Sequence, residues 1–175
     1  MTEGDLENPQ FDIDSQKEEV MYEQSVVGKW KYGKMDKQND FAYIELDDPD
    51  TFMNDNDVEF FTGYREIKPE DRLVLKVIAK GNASKTVDEA YVIDVVKNKI
   101  GIKYNLGEVI VFDEVILVGD RPGKNCQPVT DHGDSGGSVF DSDGNLIGMI
   151  TGKNDLFTFV LPIQKTADAL NLKPS

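Results

Sequence analysis

Between positions 132 and 140 the chain reads His132-Gly133-Asp134-Ser135-Gly136-Gly137-Ser138-Val139-Phe140. A serine set among glycines in a tight turn projects its hydroxyl outward, because glycine adopts positive φ and lets another backbone come close. In such a turn the amides of Gly133 and Ser135 can converge on one point, where the oxygen of a tetrahedral acyl adduct would carry its charge. Asp134 can tie the turn down through a buried hydrogen bond or ion pair. The chemistry this points to is attack by the Ser135 hydroxyl on a carbonyl carbon. A serine hydroxyl is a weak nucleophile without a base, and the only histidine in the sequence is His132. That side chain is tied to the same backbone turn as Ser135, a poor place from which to lie over the hydroxyl and also reach a distant carboxylate. A surface position suits it better than a general base. The plain alternative for the whole motif is a glycine-rich hairpin with an ordinary Asp-Ser pair.

The surroundings of the motif weigh against that alternative. Val139-Phe140 begins an apolar strand, Asp141-Ser142-Asp143-Gly144-Asn145 reads as a hairpin turn, and Leu146–Thr151 as the returning strand. Six apolar, β-branched segments bounded by turn residues are expected as strands: Leu73–Ala79, Tyr91–Val96, Val109–Val118, Gly137–Phe140, Leu146–Thr151 and Phe157–Leu161. A helix should close the chain, with Pro162 in its first turn and Ile163, Ala167 and Leu170 on one face. Short strands and one terminal helix predict an all-β protein built on a small antiparallel barrel.

With these flanks, Gly133–Val139 and the later Ile147-Gly148-Met149-Ile150-Thr151-Gly152 resemble the chymotrypsin-like (trypsin-like) serine peptidases, as does Phe159-Val160-Leu161-Pro162-Ile163 before a terminal helix. The resemblance spans residues 26–175. It implies two six-stranded barrels with the active site between them, peptide or protein substrates, and Ser135 as nucleophile. It also implies an oxyanion hole from the amides of Gly133 and Ser135, and backbone pairing of Thr151, Gly152 and Lys153 with the bound peptide. Val129 and Thr130 fall near the base of the primary pocket and His132 in its wall. Neither residue at the base is an acid, so that position favours small or apolar side chains over Arg or Lys. Asn39-Asp40-Phe41-Ala42-Tyr43-Ile44-Glu45-Leu46 is similar to the segment carrying the triad aspartate, which implies Asp40 as the carboxylate that orients a histidine. Lys80–Thr86 resembles the turn of the first hairpin of the second barrel.

The family order is histidine, aspartate, serine, and no histidine precedes Asp40. Only Val26–Tyr32 and Phe41–Leu46 read as strands of the first barrel, and two strands cannot close one. The expected organisation is an acidic, disordered lead over 1–25, a remnant of the first barrel over 26–66, and a complete second barrel with its helix over 67–175. Three readings follow: a fragment whose histidine lies upstream, a subunit that needs a separate N-terminal half, or a degenerate pseudopeptidase that binds peptides.

The chain has 175 residues and a net charge of −14. That charge argues against binding to a nucleic-acid backbone or an anionic membrane. The acidic start, with eight carboxylates and one lysine in residues 1–24, does not read as a signal peptide, and no apolar run is long enough for a membrane span. The compartment stays open, although a soluble protein is expected. Cys126 is the only cysteine, so no intramolecular disulfide forms. It reads as a loop cysteine. No cofactor is implied, and no Cys/His cluster or EF-hand spacing points to a metal.

Overall fold

The structure is a computed structural model that describes residues 19–22, 25–48, 63–68, 70–71, 74–78, 87–103 and 107–171. The chain forms two compact units, residues 1–59 and 60–175.

The first unit contains a three-stranded antiparallel sheet in the order β1(Glu19–Tyr22), β2(Ser25–Met35), β3(Asp40–Leu46). Part of the lead expected to be disordered is therefore a strand: Glu19 pairs with Lys29 and Tyr22 with Ser25. Val20 and Tyr22 are strand-prone residue types within a stretch read as acidic. The turn between β2 and β3 is organised by Asp36, whose Oδ1 accepts hydrogen bonds from the amides of Gln38 and Asn39, both at 2.8 Å. Trp30 stands half-buried on β2, packed so closely over Gly33 that a Cβ there would run into the indole.

The second unit is a barrel. β5(Val74–Ile78), β6(Val87–Lys97), β9(Glu114–Gly119), β12(Thr158–Pro162), β11(Asn145–Lys153) and β10(Ser138–Asp141) are hydrogen-bonded in that order, and β10 pairs again with β5. These pairings are antiparallel and close a six-stranded ring. Each of the six expected strands takes a place in it. β4(Gly63–Tyr64) adds in parallel to the start of β11, opposite Asn145 and Leu146.

The side chains divide by the period of two that a strand imposes. Ile116 and Val118 of β9 and Val160 of β12 face an inner core with Leu75, Val92, Val139, Ile147 and Ile150. The alternate residues Val115, Leu117, Phe159 and Leu161 face a second core with Phe112. That outer core is covered by Ile100 and Ile102, which the sequence did not single out, and by Ile110. Two of these sit on a small hairpin, β7(Gly101–Lys103) with β8(Val109–Val111). The single strand expected over Val109–Val118 is thus two, broken at Phe112-Asp113. Phe112 is fully buried, and the Asp113 carbonyl accepts from the Asn98 amide at 3.0 Å. This tertiary bond turns the chain where composition alone shows an unbroken apolar run.

α1(Ile163–Ala169) follows β12. Pro162 closes β12 rather than entering the helix, and Ile163 and Ala167 are buried on one face as expected. No helix among the described residues is long and apolar enough to cross a membrane. The segment Lys80–Thr86 lies outside the described residues.

The hairpin from β10 to β11 is fixed by one buried carboxylate. Asp141 Oδ1 accepts from the amides of Asp143 and Asn145, each at 2.9 Å, and Oδ2 takes Asn145 Nδ2 at 3.0 Å and the Arg65 guanidinium at 3.3 Å. Burial pushes the acid up, but the bonds from Asn145, Asp143 and Arg65 outweigh it and hold its pKa below the ordinary aspartate value. A folded-state pKa below the unfolded one gives stability that is present above the unfolded value. It is lost as pH falls through the folded one. Asp141→Ala should destabilise the barrel by about 2–3 kcal/mol, because it strands several donors. In urea melts followed across pH, the deficit of the variant should shrink as pH drops below the ordinary aspartate range.

Candidate active site

Ser135 lies on the loop that leads into β10, and the hydrogen bonds of that loop are distributed unevenly. The Asp131 amide donates to Asp134 Oδ2 at 2.7 Å, the His132 amide to Asp131 Oδ1 at 2.8 Å, and the Asp134 amide to the Asp131 carbonyl at 3.2 Å. Gly136 donates to the Ile150 carbonyl at 2.8 Å and Gly137 to the Asp134 carbonyl at 3.0 Å. Two amides in this run have no protein acceptor among the described residues: those of Gly133 and Ser135. Gly133 and Gly136 hold φ of 99° and 87°, which glycine adopts without strain. The loop therefore spends its other amides on its own shape and leaves these two for something else.

Asp134 is the internal brace. It is 2% exposed and receives the Asp131 amide from its own turn. Asp131 in turn holds the Lys153 ammonium, with Oδ1 to Nζ at 3.0 Å. The bond to Lys153, then the His132 amide, keeps the Asp131 carboxyl below the usual aspartate range.

Beside the serine is a cavity of about 300 Å³. The sequence-expected residues Thr130, His132, Gly133, Ser135, Thr151, Gly152 and Lys153 all line it. Val129 does not: its side chain packs against the inner core, and its amide donates to Thr158 Oγ1 at 3.1 Å. Thr130, its neighbour, lines the cavity although it is itself buried. Thr130 Oγ1 lies 2.8 Å from Thr158 Oγ1, and both threonines are buried. His132 is exposed at the mouth. Gly101, Ile102, Lys103 and Asp131 also line the cavity and were not anticipated. The alternation of Ile100, Ile102 and Val109, Val111 around a turn was the available signal, but each strand is only three residues long.

Thr151–Lys153 form the end of β11, beyond the last β10 pairing at Met149 and beyond the Gly136–Ile150 bond. β12 pairs with the other edge, opposite Gly152 and Lys153. Asp40 belongs to the first unit. It opens β3, half-buried and opposite Met35, directly after the Asp36 turn. Its neighbour Asn39 is 2% exposed and donates through Nδ2 to Asp36 Oδ1 at 3.0 Å. Cys126 is buried with its thiol over Gly119, and burial pushes its pKa up, as expected of an inert thiol.

No family model matches the sequence, and no curated protein does. Solved structures do match. A glutamic-acid-specific serine protease, described as using a histidine triad in substrate binding, aligns with TM-score 0.58 and 15% identity, over 86% of this chain and 75% of its own. The chymotrypsin of Cellulomonas bogoriensis aligns with TM-score 0.53 and 15% identity, over 85% of this chain and 75% of its own. The protein has the fold of the chymotrypsin-like serine proteases.

The geometry at Gly136 gives a direct test of the loop. A Cβ there meets nothing within 4 Å, so Gly136→Ala costs only backbone strain. The variant should lose about 1–2 kcal/mol of stability in urea unfolding. The barrel should keep its far-ultraviolet spectrum, while the backbone resonances of residues 133–137 shift.

Proposed function

We propose that this protein is a serine endopeptidase that cleaves peptide bonds through an acyl-enzyme on Ser135. One observation carries the reading: of the amides from 131 to 137, only those of Gly133 and Ser135 are left without an acceptor among the described residues. Two uncommitted donors flanking an exposed serine hydroxyl are what a developing oxyanion requires. The adjacent cavity offers a place for one substrate side chain, and by the family resemblance the Thr151–Lys153 backbone pairs with an extended peptide. In the reaction Ser135 Oγ attacks the carbonyl carbon, its proton passes to a base, and the amine leaves with a proton. Water then releases the acyl group. Asp40 is assigned as the carboxylate that orients the base, on its resemblance to the triad segment.

The base is not His132. That side chain is exposed on the serine's own loop, where its amide is held by Asp131. No other histidine occurs in the 175 residues, so a histidine-bearing segment must supply it. The same observation supports a second reading, a noncatalytic module on this fold that binds peptides along β11.

The 175-residue chain alone should turn over peptides near background, roughly 10⁴- to 10⁶-fold below a complete triad. His132→Ala should change that rate little. Adding a histidine-bearing N-terminal segment, fused or in trans, should raise fluorophosphonate labelling, and Ser135→Ala or Asp40→Ala should each abolish the gain. Efficient turnover by the chain alone that His132→Ala removes would assign the base to His132. No labelling with any complete histidine segment would favour the binding module.

A further inference from the structure

We propose that the cavity beside Ser135 selects an anionic side chain, the carboxylate of a glutamate or aspartate in the bound peptide. This deepens the reading of the Ser135 loop as a peptide site and rests on it. The charged groups lining the cavity are Lys103, Lys153 and Asp131. Two lysines and one aspartate line it, in a chain whose net charge is −14. A local positive excess in so acidic a molecule is not a sample of its average surface. Such a concave site focuses its field on whatever enters.

The hydrogen-bond inventory agrees. An ammonium has three donors. Asp131 engages the Lys153 ammonium at one contact of 3.0 Å, so donors remain for a ligand oxygen. Thr158 Oγ1 already accepts from the Val129 amide at 3.1 Å. With Thr158 donating its own hydrogen across the 2.8 Å contact to Thr130, the Thr130 hydroxyl is free to donate into the cavity it lines. Ile102, Ile150 and Phe159 provide apolar walls for the methylenes of such a side chain.

The other occupants fare worse. A lysine or arginine would meet two like charges. An apolar side chain would strip water from the ammonium groups and return no hydrogen bond. The neutral base at Thr130 therefore does not make the cavity an apolar one. With a single histidine in the chain, no histidine triad can form here, and lysines supply the charge instead.

The test is binding, read apart from catalysis. The peptides Ac-Ala-Ala-X-Ala-NH2, with X as Glu, Gln, Leu or Lys, are titrated into the full chain at low salt. Shifts in the amide resonances of residues 130–135 and 150–153 are followed. The Glu peptide should bind about fivefold more tightly than Gln, and the difference should fade in 0.5 M salt, roughly the regime of complete screening. Lys153→Met and Lys103→Met should each reduce the preference, and Lys153→Arg should keep it. Asp131→Asn, which frees Lys153 while leaving an oxygen for the His132 amide, should increase it. Dispersed spectra establish that each variant is folded.

Equal binding of Glu and Gln, a preference for Leu or Lys, or no shift at these amides with any peptide would overturn the proposal. Serine reactivity is measured separately with the fluorophosphonate, on the chain completed with a histidine-bearing N-terminal segment. Glu preference without labelling keeps this inference and removes the peptidase reading. Labelling without Glu preference does the reverse.

Discussion

Strand β10 is hydrogen-bonded along both edges, to β5 on one side and β11 on the other. It is four residues long, yet it is the strand through which the ring closes. Its first residue follows the Ser135 loop and its last is Asp141, the carboxylate that fixes the turn into β11. Closing the barrel, setting the hairpin and placing the serine are therefore one structural event. Parting β10 from β11 would leave the loop without the Ile150 backbone, which both accepts from Gly136 and donates to Gly137, at 2.8 and 2.9 Å.

The loop itself shows how a short sequence reserves donors. Each committed amide is satisfied within a few residues or by the neighbouring strand, so the turn needs no distant partner to hold its shape. Asp134 is central to this. A buried carboxylate is costly unless it is well hydrogen-bonded, and it draws the Asp131 amide to itself at 2.7 Å. The same Asp131 holds the Lys153 ammonium through its carboxylate. The shape of the loop and the charge lining the cavity thus meet in one residue.

Much of this was legible in the residues. The ring strands could be read because each is a run of β-branched and aliphatic residues ended by turn formers, and Asp141–Asn145 could be read as their tightest turn. The Gly133–Gly137 spacing located the serine loop. Other features were hidden because they depend on contacts between remote residues. Val115–Val118 is apolar throughout because it faces two cores, one on each side. Nothing local marks where that run breaks. Strands of three residues carry too little periodicity to stand out, so the hairpin bearing Ile102 and Lys103 was overlooked. Val129 was expected at the cavity from the family resemblance, but its side chain packs on the inner core, a contact with remote residues that local sequence does not show. Glu19–Tyr22 was lost among carboxylates, because its pairing with β2 is set by register rather than by composition.

The position of the lone indole has a practical consequence. Trp30 is the only tryptophan in the chain and sits on β2, over Gly33, in the first compact unit. Emission excited at the red edge of the indole band therefore reports on the three-stranded sheet alone. The barrel carries tyrosine and phenylalanine but no indole, so its unfolding is dark in that channel and visible in the peptide-bond circular dichroism. The two optical signals separate the two halves of one polypeptide without any label. A mismatch between their midpoints would measure, directly, how far the sheet and the barrel melt as independent bodies.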